Sequence, residues 1–159
     1  MIVRTAVAAA LVAGAGILTG APVTARQAAV SYHCSVSTTA LNFGVYRVFD
    51  TQAVDSTAEV RVSCKHSVRV GVSLNAGLFG TYLDRRMQST RIMTDRLRYQ
   101  VYVDPGRQGI WGSGVSGTTR PSVVVGPSTT VLTLYGRIFP LQMVGSGDYV
   151  DGLLLTLTF

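Results

Sequence analysis

Charge is scarce in this sequence. Asp, Glu, Lys and Arg make up 14% of the 159 residues, against 47% hydrophobic residues and a mean hydropathy of +0.33. That balance excludes intrinsic disorder, which needs low hydrophobicity and high net charge. Glu, Lys and leucine-rich helical periodicity are sparse too, which excludes a helical bundle. Long apolar runs are missing beyond the N-terminal region, so nothing later in the chain is a transmembrane candidate. Cysteine is limited to Cys34 and Cys64 and histidine to His33 and His66, with no Cys-x-x-Cys pair. The length fits one domain with room for a real core.

Acidic residues are the scarcer charged class. The net charge is +6, carried almost wholly by scattered arginines. The densest basic stretch, Arg85 to Arg98, is bordered by Asp84 and interrupted by Asp95. No helix-turn-helix, zinc-finger or aromatic RNA-binding pattern accompanies it, so no nucleic-acid partner is expected. A basic balance alone bears on solubility and weak anion attraction.

The first 25 residues, MIVRTAVAAALVAGAGILTGAPVTA, place Arg4 before an apolar run and then small residues. That order predicts a secretory signal peptide over 1–25, cleaved after Ala25 or after Ala21. The run from Ala6 to Leu18 is short for a membrane span. Export is therefore expected, with no membrane contact after cleavage. In an exported chain, two cysteines suggest one disulfide, Cys34 with Cys64. The competing reading is a metal site, since His33 adjoins Cys34 and His66 lies near Cys64. Neighbouring strand residues point to opposite faces, so His33 and Cys34 are poorly placed to hold one ion together.

Alternation of period two recurs along the chain. It predicts strands over 30–36, 59–64, 68–74, 97–103, 121–125, 130–139 and in the closing GDYVDGLLLTLTF. Turn signals at Asp104–Gly106, Gly112–Gly117, Gly126–Ser128 and Gly145–Asp148 separate the later ones. Short strands with such punctuation predict an all-β sandwich or barrel. In the last strand Leu153, Leu155, Leu157 and Phe159 share one face, and Leu154, Thr156 and Thr158 the other.

Catalytic signatures are missing as well. GSGVSG (Gly112–Gly117) matches G-x-G-x-x-G, but proline and a strand follow it where a helix is required. No G-x-S-x-G elbow occurs. Asp148 and Asp151 border strand ends and read as turn and capping residues. The single tryptophan, Trp111, reads as a plug under the glycine-rich loop or as an exposed binding aromatic. No enzyme and no cofactor are expected.

An ordered set of short segments carries a resemblance. It comprises Cys34, LNFGVY (Leu41–Tyr46), VSC ending at Cys64, LNAG (Leu74–Gly77), RRM (Arg85–Met87), LRYQVYVDP (Leu97–Pro105), IWGSG (Ile110–Gly114), LYGRI (Leu134–Ile138) and the closing GDYVDGLLLTLTF. In this order they resemble the spore coat protein U domain family, the domain of archaic chaperone–usher pilus subunits, over 34–159. The resemblance implies an incomplete immunoglobulin-like β-sandwich that lacks its last strand and is completed by donor-strand complementation. It implies a periplasmic pilus chaperone, an outer-membrane usher and neighbouring pilus subunits as partners, and a final location on the cell surface. Leu153, Leu155, Leu157 and Phe159 are then expected at the acceptor-groove edge. The short extension over 26–33 offers Ala28, Val30 and Tyr32 as candidate donor residues. The alternative is a secreted sandwich that binds a surface or glycan through loops around Trp111, or a coat component.

Overall fold

The computed structural model describes residues 33–159. The expected leader, both cleavage points and Ala28, Val30 and Tyr32 lie outside the described residues.

Nine strands form two antiparallel sheets, with no helix among the described residues. In chain order they are β1 Cys34–Thr38, β2 Val54–Cys64, β3 Val68–Leu74, β4 Arg85–Ser89, β5 Arg96–Tyr102, β6 Ser122–Val125, β7 Thr130–Ile138, β8 Tyr149–Val150 and β9 Leu155–Thr158. One sheet runs β1-β2-β7-β5-β4-β8, the other β6-β3-β9. The period-two pattern explains their faces. Along β2, Ala58, Val60, Val62 and Cys64 turn inward, and along β3 Val70, Val72 and Leu74 do the same. Leu97, Tyr99 and Val101 of β5, with Leu134 and Ile138 of β7, complete the layer between the sheets.

The β1–β2 register sets Cys34 opposite Cys64, and the two form a disulfide with an S–S distance of 2.04 Å. Trp111 is 1% exposed and its Nε1 donates to the Val72 carbonyl at 2.9 Å. It is the plug of the two alternatives. The glycine-rich segment after it leads to β6, so no helix is present to cradle a phosphate.

Two sequence expectations are corrected. The pattern did not reveal β4, because Arg85-Arg86-Met87-Gln88 reads as a polar run. Its Arg85 faces Tyr99 across the sheet and points into the interior. The closing segment is not one strand but two. β8 pairs with β4 of the large sheet, and β9 pairs with β3 of the small one. Asp151 to Leu154 make the crossing between the sheets.

Candidate functional site

The crossing is held by polar side chains, half-buried Asn75 and fully buried Asp151 and Arg85, set among apolar ones. Asn75 extends the β3–β9 ladder past Leu74. Its amide donates to the Leu154 carbonyl at 3.0 Å and its Oδ1 accepts the Leu154 amide at 2.9 Å. Asp151 is buried. Its Oδ1 accepts the amides of Leu78 and Gly152, each at 2.8 Å, and its Oδ2 accepts the Tyr99 hydroxyl at 2.6 Å. Gly77 leaves room for this carboxylate. A Cβ there would lie 2.1 Å from Asp151 Oδ2, and the φ of +86° favours glycine independently.

Arg85 lies beside this group with its side chain wholly buried. Its guanidinium donates to the carbonyls of Asn75 (2.7 Å) and Trp111 (2.6 Å) and to Gln100 Oε1. Burial pushes the Asp151 carboxyl above the usual carboxylate range, while its hydrogen bonds and the Arg85 charge pull the other way. Burial and the Asp151 charge hold the Tyr99 phenol well above its ordinary value. Asp151 is thus a core group where the sequence suggested a surface cap. No sequence signal marks it, since an isolated Asp between strands reads as a turn.

Leu153, Leu155 and Leu157 point into the core, whereas Phe159 is 51% exposed. β9 is the outer strand of its sheet, and no described strand pairs with its second edge.

A cleft of about 940 Å³ opens nearby. One wall is a strap, residues 42–49, between β1 and β2. The other is residues 144–150, which lead into the crossing. Met87, Leu97 and Ile138 form its floor. Leu153, Leu155, Leu157 and Phe159 are not part of its lining.

The strap enters over β7. Leu41 and Phe43 pack on Gly136 so closely that a Cβ there would meet both at 2.7 Å. The Phe43 ring meets Tyr99 edge-on at 6.1 Å. Ser56 Oγ donates to the Asn42 carbonyl at 2.6 Å. Beyond that anchor, Val45 and Phe49 are 78% and 77% exposed. The second wall is braced by Tyr149, whose hydroxyl donates back to the Gly145 carbonyl at 2.8 Å, the arrangement of a tyrosine corner in immunoglobulin-like domains. Asp95 Oδ2 accepts the Gly145 amide at 2.8 Å.

The backbone is the unusual part. From Val45 to Phe49 the main chain takes part in one hydrogen bond among the described residues, from the Asp50 amide to the Arg47 carbonyl. No backbone hydrogen bond joins the two walls. The second wall is partly bonded, with the Asp148 carbonyl accepting the Thr90 amide and Tyr149–Val150 paired with β4, whereas the strap's unpaired amides and carbonyls are a template for another strand. LNFGVY supplied this wall, yet its spacing alone did not mark it as a site, because the strap is not a strand and its partner wall lies about a hundred residues later.

The family description Spore Coat Protein U domain matches residues 19–156. No curated protein matches the chain. Among solved structures, one similar chain belongs to the chaperone–tip adhesion subunit pre-assembly complex of archaic chaperone–usher Csu pili from Acinetobacter baumannii. It is 23% identical with a TM-score of 0.58, covering 82% of this chain and 40% of that one. The chain thus spans well under half the length of that relative, and the likeness is one of fold. The minor tip subunit of the Hda pilus of Escherichia coli is 19% identical over 77% of this chain and 79% of its own, with a TM-score of 0.44. A structure of the fibronectin-binding, biofilm-forming AAF fimbriae of enteroaggregative Escherichia coli is 16% identical over 79% and 98%, with a TM-score of 0.40.

Proposed function

We propose, from the premise that the chain belongs to the Spore Coat Protein U domain family, that it is an exported structural subunit of a chaperone–usher-type pilus or surface fibre serving adhesion or biofilm formation. In this reading the subunit enters the fibre by accepting a strand from another molecule. The observation that carries it is the cleft: a strap whose backbone is nearly unpaired faces a second wall that ends in the outer strand β8, with no backbone bond between them and an apolar floor. Strand addition suits such a gap, since main-chain hydrogen bonds supply affinity and alternate side chains enter the floor. A periplasmic chaperone would fill the gap first, and the extension of a neighbouring subunit afterwards, with an outer-membrane usher handling the exchange. Repeated head to tail, that contact grows an open fibre.

Ala28, Val30 and Tyr32 are the donor residues this chain would offer to its own neighbour. Leu153, Leu155, Leu157 and Phe159 lie outside this cleft's lining and would instead serve an acceptor edge along the open side of β9. The alternative of recognition through Trp111 is disfavoured by its burial and its bond to Val72.

Peptide complementation tests the reading. The purified mature chain is heated with and without a synthetic peptide of residues 22–33. Saturating peptide at a hundred times its Kd stabilises by about 2.7 kcal/mol, an upward shift of roughly 10 °C for a domain of this size. A melting temperature unmoved by this peptide and by any alternating apolar peptide would sink it.

A further inference from the structure

The outer face of the large sheet gathers arginines on three adjacent strands. Positions that alternate with the core residues of β4, β5 and β7 turn to this face, and the register makes them neighbours. Arg86 of β4 lies directly opposite Arg98 of β5. Arg137 of β7 lies opposite Gln100, two residues along β5. It is therefore a diagonal neighbour of Arg98, roughly 7–8 Å away. Like charges set opposite one another destabilise a sheet, so folding alone does not call for this arrangement. Two carboxylates hold it, each shared by two arginines. Asp84 pairs with Arg86 at 2.6 Å and with Arg98 at 2.8 Å. Asp55 pairs with Arg137 at 2.7 Å and with Arg107, from the loop after β5, at 2.8 Å. Four arginines on two carboxylates leave two positive charges uncompensated within the network.

Donors are left over as well. Arg98 gives only its Nε to Asp84, its terminal nitrogens have no protein partner among the described residues, and its side chain is 54% exposed. Arg137 bonds through Nε and Nη2 and keeps Nη1 free of protein partners among the described residues. Aromatic rings lie between and beside these groups. Arg98 sits over the Phe139 ring at 5.5 Å, and Tyr135 and Tyr102 form a register pair next to Arg137. All three rings are half-buried. The strands β2, β7, β5 and β4 are paired on both edges, so a partner here meets side chains and no free backbone.

We propose that this band is a binding surface for an acidic polysaccharide, with Arg98 and Arg137 taking carboxylates of uronate units and Phe139 and Tyr135 lying under the sugar rings. A guanidinium engages a carboxylate through two parallel N–H donors, which fixes orientation as well as charge. Rings set among the arginines suit a ligand that alternates an anion with a flat apolar face. An acidic peptide offers the anion without that face. The band supplies a ligand class for the adhesive role proposed above. It lies across the sheet from Met87, Leu97 and Ile138, the floor of the cleft, so it stands whether or not the cleft accepts a strand.

The test follows the fluorescence anisotropy of a labelled polygalacturonate oligomer titrated with the purified mature chain at 0.15 M salt. Arg98→Gln, at a half-exposed position, weakens binding roughly tenfold, the worth of one hydrogen bond to a charged group. Adding Arg137→Gln weakens it further. The control, Arg69→Gln with Arg120→Gln, removes two exposed charges at the small sheet. Screening keeps the effect of that pair within about twofold. A wild-type chain that does not bind polygalacturonate overturns the proposal. Equal weakening by the control pair does so too, since that is bulk attraction between unlike charges. Polyglutamate of the same length binding as tightly makes the face a site for acidic peptides, and neutral dextran binding as tightly removes the arginines from recognition; either result sinks the proposal.

Discussion

Replacing Arg85 with methionine should cost the domain far more than its polar character suggests. Methionine matches the length of the stem and fills most of its volume, so packing is largely retained. What disappears is the guanidinium, which serves the carbonyls of Asn75 and Trp111 and the side chain of Gln100 in a fully buried position. Two carbonyls, those of Asn75 and Trp111, are then orphaned away from water, each at about 1–3 kcal/mol, while Gln100 Oε1 keeps the Val101 amide at 2.9 Å. Asp151, already unfavourably buried, also loses the positive charge that offsets its desolvation. The hydrophobic gain of the new side chain returns about 1.5–3 kcal/mol. The net expectation is a loss of about 3–5 kcal/mol, the range for breaking one side of a buried ionic group. In a domain of this size that lowers the melting temperature by roughly 10–20 °C. Urea unfolding followed by the fluorescence of buried Trp111 reads the loss directly, because this tryptophan adjoins the site. The control is Arg86→Met next door, which removes a surface ion pair with Asp84 and should leave the midpoint near the parent value. If Arg85→Met is as stable as Arg86→Met, the buried cluster does not hold the crossing and the account of it is wrong.

Reduction of the Cys34–Cys64 disulfide, which spans 30 residues of sequence, should cost about 3–4 kcal/mol through the freed unfolded chain; parallel denaturation curves with and without reductant measure it. Stability should also fall in alkali. The Tyr99 phenol is held well above its ordinary value in the folded state. The unfolded chain therefore releases that proton from about pH 10 while the native state retains it. The contribution is whole below pH 10 and is lost as the pH climbs toward the raised folded value, by at most about 1.4 kcal/mol per pH unit. Tyr99→Phe should flatten that part of the stability–pH curve, and an unchanged slope in the variant would refute the assignment.

Much of the sandwich was legible because half-buried strands advertise themselves by alternation. The segment 68–74 became β3 without adjustment, and β5, β6 and β7 fell within a residue of their expected ends. The disulfide and the buried tryptophan followed from composition and from the company those residues keep. The unread parts share one physical cause: their side chains obey tertiary partners, not local periodicity. Arg85 is charged in sequence but interior in space, because three acceptors distant in the chain converge on it. Asp151 looks like a turn residue until Tyr99, Leu78 and Gly77 surround it. The closing run reads as one strand because its alternation does not register a change of partner at Asp151. The cleft is the least legible feature, since its strap belongs to no strand and its second wall lies about a hundred residues later in the chain.

The crossing of the terminal segment has a mechanical consequence. Because residues 149–158 belong to both sheets in succession, tension applied beyond Thr158 meets two barriers of different kinds. The first is the short β9 ladder on β3, an edge of four residue pairs open to water on its other side. Behind it stand Asn75 and Asp151, whose bonds reach the backbone of two loops and the hydroxyl of Tyr99. A pull that strips β9 is arrested at that point, and the large sheet with its β8 margin stays closed. The domain is thus built to yield in part under load and to re-zip when the load is released. In a single-molecule trace this is a small early extension that precedes the main rupture and vanishes when Asp151 is replaced by alanine.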